Sequence, residues 1–448
     1  ELARIHRILM KKIVIRKLFG RFDYDIRLSD TGVTILTGPN GFGKSTILLC
    51  IRAMAEGDIR FFQKLNFETI EIVTENKKSS ITINKNQGNL CINGKELSEF
   101  LKFDDEKNDI LPLDIEIRKS DRKSLGSDAF LLKAYQILHS NRSSATPPDF
   151  VIRGEGDNNY TLHYRLELPD TRPSLFQAMH QSVGALFYIS EQRLIRPAEG
   201  DQWRKSGGEA PIIREEEEIP EKLKSEMSRV AERYSNVANR LDSTFPQRLF
   251  AESNGITRQE FNDRMTVMQD NMEKLKKYDI SDIGELEDIQ FKEEDSRALK
   301  VYFEDFEKKY QQYETLIHKL DMFTDMINAR FLFKKAKVSK ENGLQVFDDD
   351  TKKELTLSEL SSGEKETLVL FYQLLFEVPD GAMLLVDEPE ISLHIAWQRM
   401  FADDLMRIVE YKHMKALIAT HSPQIVNGRR DIQVDLGELY EKRLHTEK

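Results

Sequence analysis

Cysteine is scarce: only Cys50 and Cys91 occur in 448 residues. Two such positions exclude a disulfide framework and a cysteine-built metal centre, and they suit a reducing cytoplasm. Long apolar runs are missing as well. No stretch approaches the roughly 18–20 residues that a membrane helix needs, and the opening ELARIHRILMKK has no secretory core. Met10 offers an alternative start, which would make residues 1–9 an extension. Nor is there a basic excess, since 66 Lys and Arg face 76 Asp and Glu for a net charge of −10. That balance argues against a chain that coats nucleic acid along its whole surface. One local exception holds Arg4, Arg7, Lys11, Lys12, Arg16, Lys17 and Arg21 with no acidic residue between them, either a solvated edge or a strip for DNA. What remains, 40% hydrophobic and 32% charged residues, is enough for two or three folding units.

The patterning divides the chain into three segments. In residues 1–199, short β-branched runs at 12–18, 24–28 and 32–38 lead to a Gly-rich loop and a helix from Lys44 to about Ala55. Alternating runs at 69–75, 79–84 and 89–94 predict an antiparallel appendage, with a tight turn at Asn93-Gly94. A helix is expected at 126–148, followed by a strand pair formed by YTLHYRLEL and VGALFYIS. Residues 200–330 change in texture. After RKSGGEAP come charged helical stretches at 214–241 and 257–277, then a heptad seam of Leu299, Phe303, Phe306, Tyr310, Tyr313, Ile317, Leu320 and Ile327, with Thr324 filling a gap. These are expected to pack as a short antiparallel helical arm. Strand texture resumes in 331–448 with LFKKAKV, a turn at Asn342-Gly343, and LQVF; the FDDDTKKE that follows reads as an acidic hairpin turn.

Gly38-Pro39-Asn40-Gly41-Phe42-Gly43-Lys44-Ser45, followed by Thr46, fits the phosphate-binding loop between a strand and a helix. Its glycines allow backbone N–H groups to converge on phosphate oxygens, and the new helix aims its positive end at them. Lys44 supplies a mobile charge, and the Ser45 hydroxyl suits Mg²⁺. GAMLLVDEPE ends a buried strand in Asp387-Glu388, a costly pair unless a cation or a reaction needs it. Asp387 is assigned to the magnesium shell, and Glu388 to accepting a proton from attacking water. KALIATHS delivers His421 at the end of another apolar strand, where it is expected to sense the γ-phosphate. In LSSGEKETLVLFYQLL, Ser361 and Glu364 form a capping box, and the same helix start turns the Ser362 and Gly363 amides outward as an anion site.

Taken together and in this order, these motifs resemble those of the ATP-binding-cassette ATPases. The resemblance matches Walker A to 38–45, the signature to 360–364, Walker B to 382–388, the D-loop to Ser392-Leu393-His394, and the switch histidine to His421. The signature departs from L-S-G-G-Q, with Ser362 for a glycine and Glu364 for a glutamine, as in the soluble SMC-like and RecF-like branches. It implies an α/β fold: a P-loop NTPase head of mixed sheet with an antiparallel β subdomain, interrupted by the helical arm. It also implies ATP and Mg²⁺ as ligands and a homodimer or higher homo-oligomer in which one copy's signature covers the other's nucleotide. Gln192 is the candidate for the family's magnesium-contacting glutamine, with Arg193 beside it. Phe19, Phe22 and Tyr24 are candidates to face the adenine.

Signature and P-loop stand too far apart for a transporter module. The C-terminal stretches look like stand-alone ATPases of bacterial anti-phage defence operons, such as the PtuA ATPases of Septu systems and the AriA ATPases of PARIS. That resemblance implies a cytoplasmic sensor controlling a separate effector, either an HNH or TOPRIM nuclease or a toxin. The 27 residues after His421 are expected to be too few for a fused TOPRIM domain. The alternative reading is a DNA-repair or DNA-clamp ATPase whose arm and basic edge grip duplex.

Overall fold

A computed structural model describes residues 10–75, 80–86, 89–96, 115–118, 150–155, 159–164, 183–190, 194–197, 212–280 and 289–446. The expected helix at 126–148 lies outside them, as do Gln192 and Arg193. The chain forms two compact units: 28–48 with 185–438, and 9–27 with 49–184 and 439–448. Neither coincides with the three segments read from the sequence, because the helices of the charged insertion fall in the first unit.

The first unit is built on a parallel sheet of β3 (Val33–Thr37), β11 (Leu186–Ile189), β17 (Met383–Asp387), β18 (Lys415–Ala419) and β19 (Gln433–Asp435), in the order β11-β17-β18-β3-β19. β3 and β17 are buried at every residue, as strands covered on both faces must be, so neither shows the apolar–polar alternation of a half-exposed strand. VGALFYIS supplies β11, a half-buried edge strand of this sheet, parallel to β17. It does not pair with YTLHYRLEL, whose β10 (Asn159–Tyr164) lies between β8 (Ile115–Arg118) and β9 (Phe150–Glu155) in a separate antiparallel sheet. Periodicity alone does not name a strand's partner, and this pairing was decided by long-range contact.

β12 (Ile195–Pro197) and β13 (Ile212–Arg214) pair antiparallel ahead of the arm, which among the described residues holds three helices: α3 (Glu215–Ala251), α4 (Arg258–Lys277) and α5 (Ser296–Asn328). Lys309–Asp242, Arg248–Asp305 and Lys300–Glu252 pair rising positions on α3 with falling ones on α5, so those two helices are antiparallel. Arg264–Glu307 and Lys277–Asp321 rise together, which makes α4 parallel to α5 and corrects the expected all-antiparallel hairpin. The heptad seam faces inward: Phe303, Tyr313, Ile317, Leu320 and Ile327 are buried. Thr324, the polar break in the seam, donates its hydroxyl to the Leu320 carbonyl at 2.9 Å, so it costs little.

The chain returns through the hairpin β14 (Lys334–Ser339) and β15 (Gly343–Asp348), with β16 (Glu354–Leu355) beside it. The acidic turn is as expected, since Asp348 Oδ1 accepts from the Thr351 and Asp350 amides. Helices α6 (Ser362–Tyr372), α7 (Ile395–Tyr411), α8 (Pro423–Val426) and α9 (Leu436–Thr446) follow. α1 (Lys44–Glu56) starts on the P-loop of the first unit and continues into the second.

In the second unit, β1 (Met10–Leu18), β2 (Phe22–Arg27), β4 (Thr69–Thr74), β5 (Ile81–Asn86), β6 (Asn89–Ile92) and β7 (Lys95–Glu96) form an antiparallel sheet ordered β2-β1-β4-β5-β6-β7. α2 (Ile59–Lys64) precedes β4. Alternate residues of β4 are buried, the period of a strand with one apolar face. Asn93 and Gly94, at φ 50° and 80°, make the two-residue turn that joins β6 to β7.

Candidate functional site

The carboxyl ends of β3, β17 and β18 meet the residues picked from the sequence. Parallel strands place these ends on one edge, where loops rather than side chains fill the space. β3 passes into the P-loop, and there Gly38, Gly41 and Gly43 all have positive φ, of 141°, 81° and 88°. A Cβ on Gly38 would also press to 3.2 Å from Leu436, so this position needs glycine for both space and conformation.

Lys44 is only 5% exposed. Its ammonium donates to the Gly38 carbonyl at 2.7 Å and the Pro39 carbonyl at 3.2 Å, and stands 3.2 Å from His421 Nδ1. Burial lowers its pKa, opposed by the carboxylates of Glu388, Glu390, Asp387 and Asp435. An ammonium only donates, so Nδ1 of His421 is the acceptor and the ring proton sits on Nε2. That nitrogen lies 3.4 Å from Glu388 Oε1. One imidazole thus spans the phosphate-loop lysine and the expected proton acceptor.

Ser45 Oγ donates to Asp387 Oδ1 at 3.0 Å, and the Tyr188 hydroxyl donates to Asp387 Oδ2 at 3.3 Å. A hydroxyl beside a carboxylate is the hard-oxygen donor pair that Mg²⁺ takes, so these residues fit the ion expected from the sequence. Glu388 has φ 44° and ψ 59°, a left-handed conformation unusual for a residue with a side chain. Its amide donates to the Ala419 carbonyl at 2.9 Å, which fastens the turn to β18. Strain of this kind concentrates where a side chain must be aimed.

The signature segment forms a second cluster. Ser361 caps α6, with its hydroxyl accepting from the Glu364 amide at 3.3 Å while the Glu364 carboxylate takes the Ser361 amide at 2.8 Å. Lys334 closes the arrangement, its Nζ lying 2.8 and 3.0 Å from the two carboxylate oxygens. Burial would raise the pKa of Glu364, but Lys334 and the Ser361 donors hold it below the usual carboxylate range. Glu364 therefore faces inward as the clasp of the cap. Ser361 and Ser362 are exposed, and the first turn of α6 opens to solvent. In the D-loop, Leu393 is buried and His394 caps α7 through Nδ1, which accepts from Ala396 N at 3.3 Å.

The adenine candidates separate by exposure. Tyr24 is fully buried and Phe22 is 6% exposed, stacked on it at 5.8 Å; only Phe19, at 40%, shows its ring to solvent. Within the basic edge, Lys12 and Arg16 pair with Asp25 and Lys17 with Glu68, while Arg4 and Arg7 lie outside the described residues. Sequence reasoning missed Tyr188, Lys334, Glu390, Gln398 and Asp435. Glu390 carried a faint signal, as the second acid of D-E-P-E, whereas Lys334 reaches Glu364 across 30 residues and had none.

A search of curated proteins found no match to the chain. Among solved structures, the Smc head domain of Pyrococcus furiosus, with an extended coiled coil and bound to the C-terminal domain of ScpA, is 14% identical. It covers 98% of this chain and 100% of that one at a TM-score of 0.34. The SMC head domain of Thermotoga maritima is 12% identical, covering 94% of this chain and 91% of that one at a TM-score of 0.32. Residues 185–427, which contain Asp387, Glu388, Ser361 and His421, match the family described as "AAA domain, putative AbiEii toxin, Type IV TA system". With more than half of its length in that match and a phosphate loop at the edge of a parallel sheet, the chain belongs to this family of P-loop ATPases.

Proposed function

We propose that the chain binds ATP with Mg²⁺, that two copies close around the nucleotide and hydrolyse it, and that this cycle controls a separate effector in a cytoplasmic anti-phage defence complex. The observation that carries the reading is the division of anion-binding parts into two clusters. Lys44, Ser45, Asp387, Glu388 and His421 bond to one another around the P-loop. Ser361, Ser362 and Gly363 present an open helix start whose capping bonds are all local. Apolar side chains adjoin this second cluster and the D-loop: Leu332 and Phe333 are 71% and 73% exposed, and Ile391 and Ile395 are 53% and 60% exposed. Such surface is what a second copy would cover.

Lys44 exchanges the Gly38 and Pro39 carbonyls for phosphate oxygens as ATP enters. Ser45 and Asp387 would hold magnesium, which would supply positive charge against the phosphates. Glu388 takes the proton of the attacking water, and His421 holds the γ-phosphate side of the site. The regulatory role is supported by the toxin–antitoxin description of the matched family and by the resemblance of 326–426 to the PtuA and AriA defence ATPases, which also points to an HNH or TOPRIM nuclease or a toxin as the partner. The acidic balance of the chain and the pairing of Lys12, Arg16 and Lys17 with carboxylates favour this over a DNA clamp.

Complementation tests the shared site. Lys44→Ala and Ser362→Arg each inactivate a homodimer. Mixing them rebuilds one complete site per heterodimer, so activity returns if the signature works in trans. Two inactive variants that stay inactive when mixed, despite forming heterodimers, overturn the shared site. A pull-down from the native operon that recovers no nuclease or toxin, together with DNA binding that falls steeply with salt, would replace the effector reading with the clamp.

A further inference from the structure

Between the proton acceptor and the switch histidine lies a set of hydrogen bonds that the ATPase assignment leaves unused. Glu390 Oε1 accepts from two successive amides at the end of β18, His421 N at 2.6 Å and Ser422 N at 3.1 Å. The Ser422 hydroxyl donates to Gln398 Oε1 at 2.5 Å. Gln398 Nε2, on a side chain only 8% exposed, donates to the Leu393 carbonyl at 2.8 Å and the Glu390 carbonyl at 3.3 Å. Thr420, fully buried, adds an acceptor for Ser422 N at 2.9 Å.

We infer that Glu390 and Gln398 are positioning residues that lock the segment presenting Glu388 to the loop presenting His421, and join both to the D-loop; this rests on the ATPase reading above. Glu388 sits in a left-handed turn two residues before Glu390, so its aim depends on where that short segment is anchored. His421 is aimed by its own backbone, whose amide Glu390 holds. Removing the carboxylate frees both partners of the 3.4 Å Glu388–His421 pair at once. Two N–H donors converging on one carboxylate oxygen form a charge-assisted tie, stronger than neutral bonds. Glu390 Oε2 is buried without a hydrogen-bond partner, so the structure uses this side chain through a single oxygen. An amide keeps an acceptor oxygen at that place, as a weaker, neutral partner. Leu393 lies between exposed Ile391 and Ile395, so a body pressing on 391–395 reaches His421 through Gln398 and Ser422.

The experiment compares Glu390→Gln, Glu390→Ala and Gln398→Leu in the full chain, measuring steady-state ATP hydrolysis and, separately, affinity for a fluorescent ATP analogue. A misplacement near 1 Å costs up to about a hundredfold in rate. Glu390→Ala is therefore expected to lower kcat between about tenfold and a hundredfold, with analogue affinity within about threefold. Glu390→Gln is expected to keep most of kcat, and Gln398→Leu to fall between the two. Equal loss in Glu390→Gln and Glu390→Ala overturns positioning in favour of a proton-transfer role for the acid. Matched loss of affinity and rate also overturns it, because that is general damage to the site. If the unaltered protein binds ATP and never hydrolyses it, the ATPase reading fails instead. The tie is then judged by the imidazole NMR signals of His421, assigned with His421→Gln. Signals unmoved in Glu390→Ala refute it, and signals displaced there but retained in Glu390→Gln support it.

Discussion

Arg330 ends the arm and is 1% exposed, so replacing it tests how the arm is tied to the ATPase core. Its guanidinium pairs with Asp404 on α7, donates to the Met326 carbonyl at 2.9 Å, and lies 4.5 Å over the ring of Phe371 on α6. One side chain thus touches the helix that carries the signature and the helix that follows the D-loop. Removing one partner of a buried ion pair costs about 3–5 kcal/mol, because the other charge is stranded. Arg407, 3.7 Å from Asp404 but 56% exposed, recovers no more than about 1 kcal/mol of that. Loss of the stacking over Phe371 adds about 1–2 kcal/mol. Arg330→Met is therefore expected to destabilise the chain by about 4 kcal/mol in urea unfolding at pH 7. Arg330→Met combined with Asp404→Leu is expected to regain all but about 1–2 kcal/mol, since no stranded charge remains. If the double variant is as unstable as the sum of the singles, the pair has no coupling energy and the reasoning fails.

Glu388→Gln is expected to lower ATP turnover by about 10²–10⁴-fold while ATP-loaded dimers accumulate on size exclusion; an unchanged rate excludes Glu388 as proton acceptor. Gly343→Ala places a Cβ 2.1 Å from the Pro220 carbonyl oxygen at φ +64°, so it should cost about 3 kcal/mol in denaturant unfolding. Gly428→Ala, at φ +76° with nothing within 4 Å, bears only the conformational cost of about 1 kcal/mol, and equal losses would contradict the steric argument. Because the folded pKa of Glu364 lies below the ordinary carboxylate value, its contribution is full above that ordinary value and is lost as pH falls through the depressed one. Lys334→Met should reduce stability at pH 7 by about 1–2 kcal/mol and flatten the decline as pH falls below the ordinary carboxylate range. The same acid slope with and without Lys334 would show that the lysine does not hold the carboxylate.

The sequence by itself determined the chemistry of the parts and the edges of most elements. The P-loop, the Asp387-Glu388 pair, His421 and the capped helix at Ser361 are each specified within a few neighbouring residues, because glycine conformation, strand burial and helix capping are local. The heptad seam was legible for the same reason, as its period is written into one helix. Tertiary structure decided what adjacency cannot encode. It made VGALFYIS the parallel edge strand beside β17, set α4 parallel to α5, and turned Glu364 inward onto a lysine 30 residues away. It also brought Lys44 to His421 across 377 residues, and stitched Glu390 and Gln398 to the loop that aims that histidine. Those contacts depend on which strands become neighbours in the sheet, and strand order is settled by burial of the whole core rather than by any single segment.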